Sequence, residues 1–177
     1  QKNKSIIRAI FGTGGKESLD KGVARQYGKA INGFDITSCQ FALHYFFENK
    51  DILQGFLRNV VECTKVGGYF IGTCYNGEKI FNMLEDKKQG QTISIHKKEK
   101  KIWEITKRYD KDYFLPDNTS LGYGIDVYQE SINQSIREYL VNFPFLEKVM
   151  QSYGFKLVDN IRIKGIGSFE TLWNDQI

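Results

Sequence analysis

The chain has 177 residues, a mass of 20.5 kDa and a formal net charge of +4 at pH 7. This length suits one domain with its own core, and a hydrophobic content of 41% excludes a disordered or fibrous chain. No run of 18 apolar residues is present, which argues against a transmembrane helix.

The three cysteines form no CxxC pair, which argues against a zinc site or a disulfide framework. We expect Cys39, Cys63 and Cys74 to be small buried hydrophobic residues.

The first elements in chain order are a strand, a loop and a second strand. A short apolar run at 5–11 predicts a strand that leads into the loop Gly-Thr-Gly-Gly at 12–15. Residues 34–39 predict a buried strand that is entered from a turn at 32–33.

A helix and a further strand follow, and together with the strand at 34–39 they predict a strand–helix–strand unit. Asn49 or Asp51 is a suitable cap for the helix, an exit turn is expected at 67–68, and the next strand at 69–75. The helix is indicated by apolar residues at helical spacing, namely Ile52, Leu53, Phe56, Leu57, Val60 and Val61. A unit of this length predicts two parallel strands.

The second half of the chain predicts a mixture of helices and strands. In order they are a helix at 78–84, hairpin strands at 92–95 and 102–106, a strand at 121–131, a helix after Asn142, a strand at 155–163, and a loop with a short helix at 165–177. Asn142 is expected to cap the third helix, with Pro144 in its first turn and Gly154 just after its end. Since no internal repeat or proline-rich linker is present, we expect residues 1–177 to form a single domain.

The charge is concentrated in one segment. Residues 87–111 contain nine basic and three acidic residues, a net charge of +6 that exceeds the charge of the whole chain. Such a segment can neutralise phosphates, and the candidate residues for RNA phosphate contacts are Lys97, Lys98, Lys100 and Lys101. The alternative is a solvated hairpin whose lysines serve solubility. For Trp103, packing is favoured over stacking on a base.

Polar and aromatic residues cluster just after the strand at 34–39. His44 lies where α/β sheets bind ligands, beyond the carboxyl end of a strand, whereas His96 lies in the basic segment and is expected to be solvated. The amide of Gln40, the flat faces of Phe41 and Tyr45, and the ring nitrogens of His44 suit a nucleobase. The loop at 12–15 matches neither phosphate-binding glycine motif, so a plain turn is the simpler interpretation.

These residues resemble those of a known family. Residues 34–73, which begin FDITSCQFALHY, are similar to the mRNA cap guanine-N7 methyltransferases, and residues 135–158, SIREYLVNFPFLEKVMQSYGFKLV, resemble a later part of the same family. The style of the sequence is most similar to the forms carried by large DNA viruses. The resemblance implies an α/β, Rossmann-like class I S-adenosylmethionine-dependent methyltransferase fold, of which this chain holds the C-terminal portion of the sheet. The implied activity is methyl transfer from S-adenosylmethionine to N7 of the cap guanosine.

The resemblance also implies roles for particular residues. It places Gln40, Phe41, Tyr45 and Gly14 at the cofactor, and His44, Tyr45 and Glu138 at the cap guanine. A carboxylate accepts strong charge-assisted hydrogen bonds from guanine N1–H and N2–H. Guanine N7 carries no proton, so no general base and no catalytic residue are expected, and catalysis rests on positioning. With two histidines and three dispersed cysteines, no metal is expected either. Without the resemblance, Glu138 would be interpreted as a surface carboxylate before a helix.

The chain also departs from the family pattern. The glycine-rich cofactor motif is absent, and Thr13 and Gly14 stand where the family often has an aspartate near the adenine. We therefore expect a partial methyltransferase domain at 1–177, with a basic insertion at about 86–125, that is inactive or very weak alone. We also expect an exposed sheet edge and an exposed apolar face.

The implied partners are the capped 5′ end of mRNA and upstream triphosphatase and guanylyltransferase domains of the same capping enzyme, with no membrane. No secretory leader is visible, so we expect a protein of the cytoplasm (viral factory or virion) or of the nucleus. The alternatives are a non-catalytic methyltransferase-like stimulatory subunit, an RNA-binding module of a capping complex, and a small-molecule methyltransferase.

Overall fold

The computed structural model describes residues 2–17 and 19–158. Its helices are α1 (Lys2–Ile10), α2 (Lys21–Ala24), α3 (Lys50–Cys63), α4 (Gly77–Met83) and α5 (Phe143–Ser152), with 3-10 turns at Leu43–Phe47 and Asn118–Ser120. Its strands are β1 (Phe34–Gln40), β2 (Thr64–Thr73), β3 (Thr92–Lys97), β4 (Lys100–Lys107), β5 (Gly124–Gln129) and β6 (Gln134–Tyr139). The predicted strand at 155–163 lies mostly outside these residues, and residues 155–158 form no strand; the loop and helix predicted at 165–177 lie wholly outside. Within the described ranges, no helix is long and apolar enough to cross a bilayer.

The predicted strand–helix–strand unit is confirmed. β1 and β2 pair in parallel and α3 connects them. Asn49 caps α3, because its Oδ1 accepts a 3.0 Å hydrogen bond from the N–H of Ile52. The helix turns Leu53, Leu57 and Val60 into the interior. The unit therefore sets the carboxyl ends of both strands, Gln40 and Thr73, side by side.

Two predictions about the first half of the chain are wrong. Residues 5–11 lie in α1 and the turn after it, not in a strand, since a helix satisfies its backbone hydrogen bonds internally and a short apolar run fits either element. Gly67 and Gly68 lie inside β2, where a register irregularity lets Thr64 pair with Phe34 and Tyr69 with Ile36.

β1 is also not a buried strand, because α3 covers one face of the parallel pair and the other face is open among the described residues. Ile36 is 58% exposed and Ile71 is 45% exposed. This confirms the expected exposed apolar face. Cys39, Cys63 and Cys74 are free but only half-buried, contrary to the prediction. Cys39 and Cys74 lie at the margin of the core that α3 and α5 share.

The remaining strands form an antiparallel sheet in the order β3-β4-β5-β6. The predicted hairpin is confirmed as β3 and β4, and the predicted strand at 121–131 contains β5. One face of this sheet packs on α4 (confirmed over the predicted 78–84) through a core that includes Leu84, Ile105 and Ile125. Trp103 packs against this core, as predicted.

The register of this sheet aligns three residues in one cross-strand row. Lys107 on β4 pairs with Ile125 on β5, and Ile125 pairs with Glu138 on β6. Residues directly opposite each other in a sheet point to the same face. All three are buried, at 6%, 1% and 7% exposure, so the row places one positive and one negative residue on the packed face.

The two sheets meet around α5 and the turn Leu43–Phe47. A second core joins Phe47 and Leu57 to Val141 and Phe145. Asn142 caps α5 as predicted, with Oδ1 accepting a 3.0 Å hydrogen bond from the N–H of Phe145. Its amide also donates to the carbonyls of Phe114 and Leu115, at 3.2 Å each, so one side chain ties the helix to the preceding loop. Pro144 lies in the first turn and Gly154 follows the helix at φ 87°, as predicted.

Candidate functional site

The carboxyl end of β1 presents an amide and an exposed aromatic ring. Phe41 has a φ of 50°, in the left-handed region that non-glycine residues rarely adopt, and its N–H donates a 2.8 Å hydrogen bond to the carbonyl of Thr73. This conformation leaves the Phe41 ring 74% exposed. The Gln40 amide donates to Ser38 Oγ at 2.9 Å and accepts from Thr73 Oγ1 at 2.7 Å. The strand end is thus held in shape while the ring stays open to a ligand.

His44 and Glu138 form a buried pair next to this strand end. His44 comes from the turn Leu43–Phe47 and Glu138 from β6, and they are 5% and 7% exposed. His44 Nε2 and Glu138 Oε2 are 3.7 Å apart, which is too long for a hydrogen bond. Among the described residues, Nδ1 and Nε2 of His44 and Oε2 of Glu138 are buried with no hydrogen-bond partner. Unpartnered buried polar atoms are costly, so they mark a place that a ligand can complete.

Burial shifts the ionisation of both members of this pair. It raises the pKa of Glu138 to about 7 and lowers the pKa of His44 from its ordinary value. Near neutrality His44 is therefore neutral, with one ring nitrogen able to donate and the other able to accept. Burial, then the neighbouring Cys39 and Glu138, raise the pKa of the Cys74 thiol to about 12, so this thiol stays protonated.

Tyr45 adds a second open ring to the site. Its ring meets the His44 ring edge-on, with centroids 4.3 Å apart, and it is 38% exposed. Burial, then the charge of Glu138, raise the pKa of its hydroxyl. The structure therefore brings together His44, Tyr45 and Glu138, as the sequence predicts, with Phe41 and Gln40 on the adjoining strand end. Their roles toward ligands stay predictions.

Gly14 lies in a different setting. Its carbonyl accepts a 2.6 Å hydrogen bond from the Tyr27 hydroxyl, and its φ is 98°. Phe11, three residues earlier, packs edge-on against Phe34, which begins β1, whereas Gln40 ends it. The role of Gly14 at a cofactor stays a prediction.

The four lysines predicted to contact RNA phosphates surround the turn of the β3–β4 hairpin. Lys97 and Lys98 are exposed. Lys100 is paired with Glu130, and Lys101 with Glu104 at 3.0 Å. Lys101 also lies over the ring of Tyr128. Two of the four ammonium groups therefore already have a carboxylate partner, which a phosphate would have to displace.

Some features of the site were not predictable from local signals. β6 was missed because Glu138 faces the core where an apolar residue is expected, which hides the strand alternation. Lys107 was missed as a buried cation, although the period of two that carries Ile105 to the core carries Lys107 to the same face. Within residues 2–17 and 19–158, no cluster of three or more metal-ligating side chains is found.

Comparison with known proteins assigns the chain to a family. Residues 1–171 match the mRNA (guanine-N(7))-methyltransferase domain. A protein of Acanthamoeba polyphaga mimivirus named probable mRNA-capping enzyme is 33% identical over 135 residues, which cover 73% of this chain and 11% of that protein. The mRNA cap guanine-N(7) methyltransferase of Candida glabrata is 32% identical over 127 residues, covering 70% of this chain and 30% of that protein. The enzyme of that name from Aspergillus niger is 27% identical over 149 residues, covering 81% and 22%.

The chain belongs to the mRNA (guanine-N7)-methyltransferase family. This confirms the predicted family and the α/β, Rossmann-like fold class of S-adenosylmethionine-dependent methyltransferases. The chain spans about a tenth to a third of the length of the curated relatives it matches.

Proposed function

We propose that this member of the family is part of an enzyme that transfers a methyl group from S-adenosylmethionine to N7 of the guanosine cap at the 5′ end of mRNA. The observation that carries the proposal is the buried pair of His44 and Glu138, whose polar atoms have no partner among the described residues. A pair left in this state fits a ligand that brings hydrogen-bond donors and acceptors of its own.

Glu138 and His44 recognise the guanine by complementary hydrogen bonding. The carboxylate of Glu138 accepts from N1–H and N2–H, and adenine offers no matching pair of donors. Such charge-assisted bonds are about twice as strong as neutral ones, and their strength grows in a dry site. Burial lowers the pKa of His44, so its ring is neutral near pH 7. The neutral ring holds the edge of the base by hydrogen bonding and adds no positive charge to the site. The exposed ring of Tyr45 offers a flat face beside it.

The strand end supplies the side of the site that faces the co-substrate. Gln40 retains one amide hydrogen and one lone pair beyond its bonds to Ser38 and Thr73, and Phe41 offers an exposed ring at the carboxyl end of β1. These donor and ring positions fit S-adenosylmethionine, which supplies an electrophilic methyl group when bound. Gln40, Phe41 and Tyr45 would hold it.

This chain needs no general base in the proposed reaction. Guanine N7 has a free lone pair and no proton to remove. The residues therefore act by fixing the base: Glu138 and His44 set its in-plane orientation, and Tyr45 restricts its tilt. Orienting a nucleophile in this way lowers the barrier by removing the entropy of alignment.

We further propose that the whole protein is a multidomain capping enzyme, with triphosphatase and guanylyltransferase domains upstream. The support is the name of the mimivirus relative and the small fraction of that protein that matches.

Substitution of Glu138 by Gln in the full-length protein tests the proposal. We expect about a 100-fold loss of affinity for GpppG-capped RNA, because two charge-assisted bonds are replaced by at most one neutral acceptor. Methyl transfer should fall at least as far. The measurements are binding to GpppG-capped and ApppG-capped RNA and the rate of methyl transfer from radiolabelled S-adenosylmethionine.

The exposed Glu62 provides the matched control, since Glu62→Gln makes the same change of charge on α3 away from the site. That variant should behave as the unsubstituted protein does. If Glu138→Gln kept full preference for the guanine cap over the adenine cap, the proposed recognition would be wrong.

A further inference from the structure

A cavity of about 360 Å³ lies beside the antiparallel sheet, between the segment after α4 and the segment that follows β4. Its lining includes Lys87, Lys88, Lys107 and Lys111, together with the rings of Phe81 and Tyr109. We infer that this cavity is an RNA-binding subsite that takes backbone phosphates of the strand whose 5′ end is held at Glu138. The inference rests on the proposed function for its choice of RNA.

Lys107 is the buried cation of the cavity. It is 6% exposed, and its Nζ donates a 3.1 Å hydrogen bond to the carbonyl of Leu84. Among the described residues no carboxylate forms an ion pair with it. The Tyr109 ring lies 4.8 Å from the ammonium. A buried charge without a counter-ion is expensive, and an anion in the adjoining cavity would stabilise it.

Tyr109 supplies a second unpartnered group. It is 5% exposed, and its hydroxyl is buried with no hydrogen-bond partner among the described residues. Burial, then the neighbouring Tyr123, raise its pKa, so the hydroxyl remains a proton donor. Phe81 stacks on its ring at 5.8 Å and holds it in place. A phosphate oxygen is an acceptor for such a donor.

The position of the cavity connects it to the guanine site. Lys107 and Glu138 lie in the same cross-strand row with Ile125 between them, so their strands are two spacings, or about 10 Å, apart. In a stacked nucleic-acid helix, each strand carries one phosphate per about 3.4 Å of helix axis. A strand whose cap guanine is at Glu138 therefore reaches Lys107 within its first few phosphates.

The cavity also contains carboxylates, and they indicate which polyanion it accepts. Glu85, Asp110 and Asp112 line it, and none forms an ion pair with the lysines of the lining among the described residues. A carboxylate repels phosphate but accepts a hydrogen bond from a hydroxyl. The ribose 2′-OH is such a donor, and it distinguishes RNA from DNA. The mixed lining thus suits RNA better than DNA or free phosphate.

The hairpin lysines Lys97 and Lys98, which the sequence also offers for phosphate contacts, form the rival site, and the pair Lys87–Lys88 allows a matched comparison with them. Each pair is adjacent in sequence and each replacement by Gln removes two charges. We expect Lys87→Gln/Lys88→Gln in the full-length protein to weaken binding of a short uncapped, 5′-triphosphorylated RNA by about tenfold. The slope of log affinity against log salt should become shallower by about 1.4, since each contact on a single strand contributes about 0.7. Lys97→Gln/Lys98→Gln should change the affinity less than about threefold.

A second variant removes only the unpartnered hydroxyl. Tyr109→Phe should weaken RNA binding about threefold while leaving the melting temperature unchanged or higher, because an unsatisfied polar group is removed from the interior. A purely structural Tyr109 would leave the affinity unchanged. That result, or equal losses for the two lysine pairs, would overturn the inference. Equal affinity for DNA of the same sequence would also overturn it, because a simple polyanion sink would then explain the binding.

The same preparations separate this inference from the proposed function. Glu138→Gln should abolish preference for the guanine cap but leave binding of the uncapped RNA intact. If Glu138→Gln behaves so and the Lys87–Lys88 variant binds RNA normally, the cavity inference alone is wrong. If the Lys87–Lys88 variant weakens RNA binding and Glu138→Gln leaves the cap preference intact, the proposed recognition of guanine is wrong and the phosphate site remains supported.

Discussion

The parallel pair exposes isoleucines on one face, whereas the central strands β4 and β5 of the antiparallel sheet bury theirs. In the parallel pair, Ile36 and Ile71 are 58% and 45% exposed, whereas in the antiparallel sheet Ile105 and Ile125 are 0% and 1% exposed. The difference determines where charge can be placed. Burial away from water raises the pKa of a carboxyl group, and Glu138 lies on the packed face of the antiparallel sheet.

The two sheets consequently contribute different chemistry to the site. The parallel pair ends in rings that remain open, Phe41 and, shortly after it, Tyr45. Because these rings are exposed, a flat ligand can stack on them directly. The antiparallel sheet contributes the buried charges Glu138 and Lys107, whose interactions gain strength from their dry surroundings. Aromatic stacking and the recognition of charged or polar groups therefore come from separate parts of the fold.

The largest test of this comparison is a matched pair of truncations. Ile105→Ala should lower the free energy of unfolding by about 2–5 kcal/mol, because it opens a cavity in a closed core. Ile71→Ala should cost less than about 1 kcal/mol if the face that carries it is open to water. Urea unfolding of each variant gives both values. A loss for Ile71→Ala as large as that for Ile105→Ala would show that the face is covered in the protein, and the comparison would fail.

The pH dependence of stability sharpens the comparison through Glu138. Its folded pKa of about 7 lies above the ordinary value of 4.5, so the folded state holds this proton more tightly. Stability from this group is complete below about pH 4.5 and is lost as pH rises to about 7, by about 3 kcal/mol in all. Relative to Glu138→Gln, the unsubstituted protein should therefore lose stability between pH 4.5 and 7.5, measured by urea unfolding.

The lowered pKa of His44 acts in the opposite sense, because the folded state disfavours its proton and stability falls at acid pH. This contribution is common to both proteins and largely cancels in the difference. The exposed Glu62→Gln substitution serves as the control and should give a flat difference. A flat difference for Glu138→Gln as well would mean that water reaches the Glu138 carboxylate.

The smallest effects concern the helix caps of the two regions. Asn49→Ala removes one cap from α3 and should cost about 1 kcal/mol. Asn142→Ala removes the cap of α5 and also the two hydrogen bonds to the carbonyls of Phe114 and Leu115, so it should cost about 2 kcal/mol. Thermal or urea unfolding measures both. Equal losses would indicate that the bonds to the loop carbonyls add nothing to the cap.

Local signals predicted much of the fold. The helix caps at Asn49 and Asn142 and the alternation of the β3–β4 hairpin depend on neighbouring residues alone, and the structure confirms them. The strand predicted at 5–11 was wrong, because the choice between strand and helix depends on whether another strand is available for pairing. The burial of Glu138 could not be derived from its neighbours, since it is set by the packing of β6 against the turn that holds His44.

The cross-strand row of Lys107, Ile125 and Glu138 makes function depend on the correct register of β4, β5 and β6. If β4 or β6 paired one residue out of register, every side chain of that strand would turn to the opposite face. Lys107 or Glu138 would then point into water, and an apolar residue would be exposed with it. A slip of β6 would therefore remove the carboxylate of the guanine site, and a slip of β4 would remove the buried cation of the cavity. One error of register therefore costs the chain a functional side chain and a packed apolar side chain together.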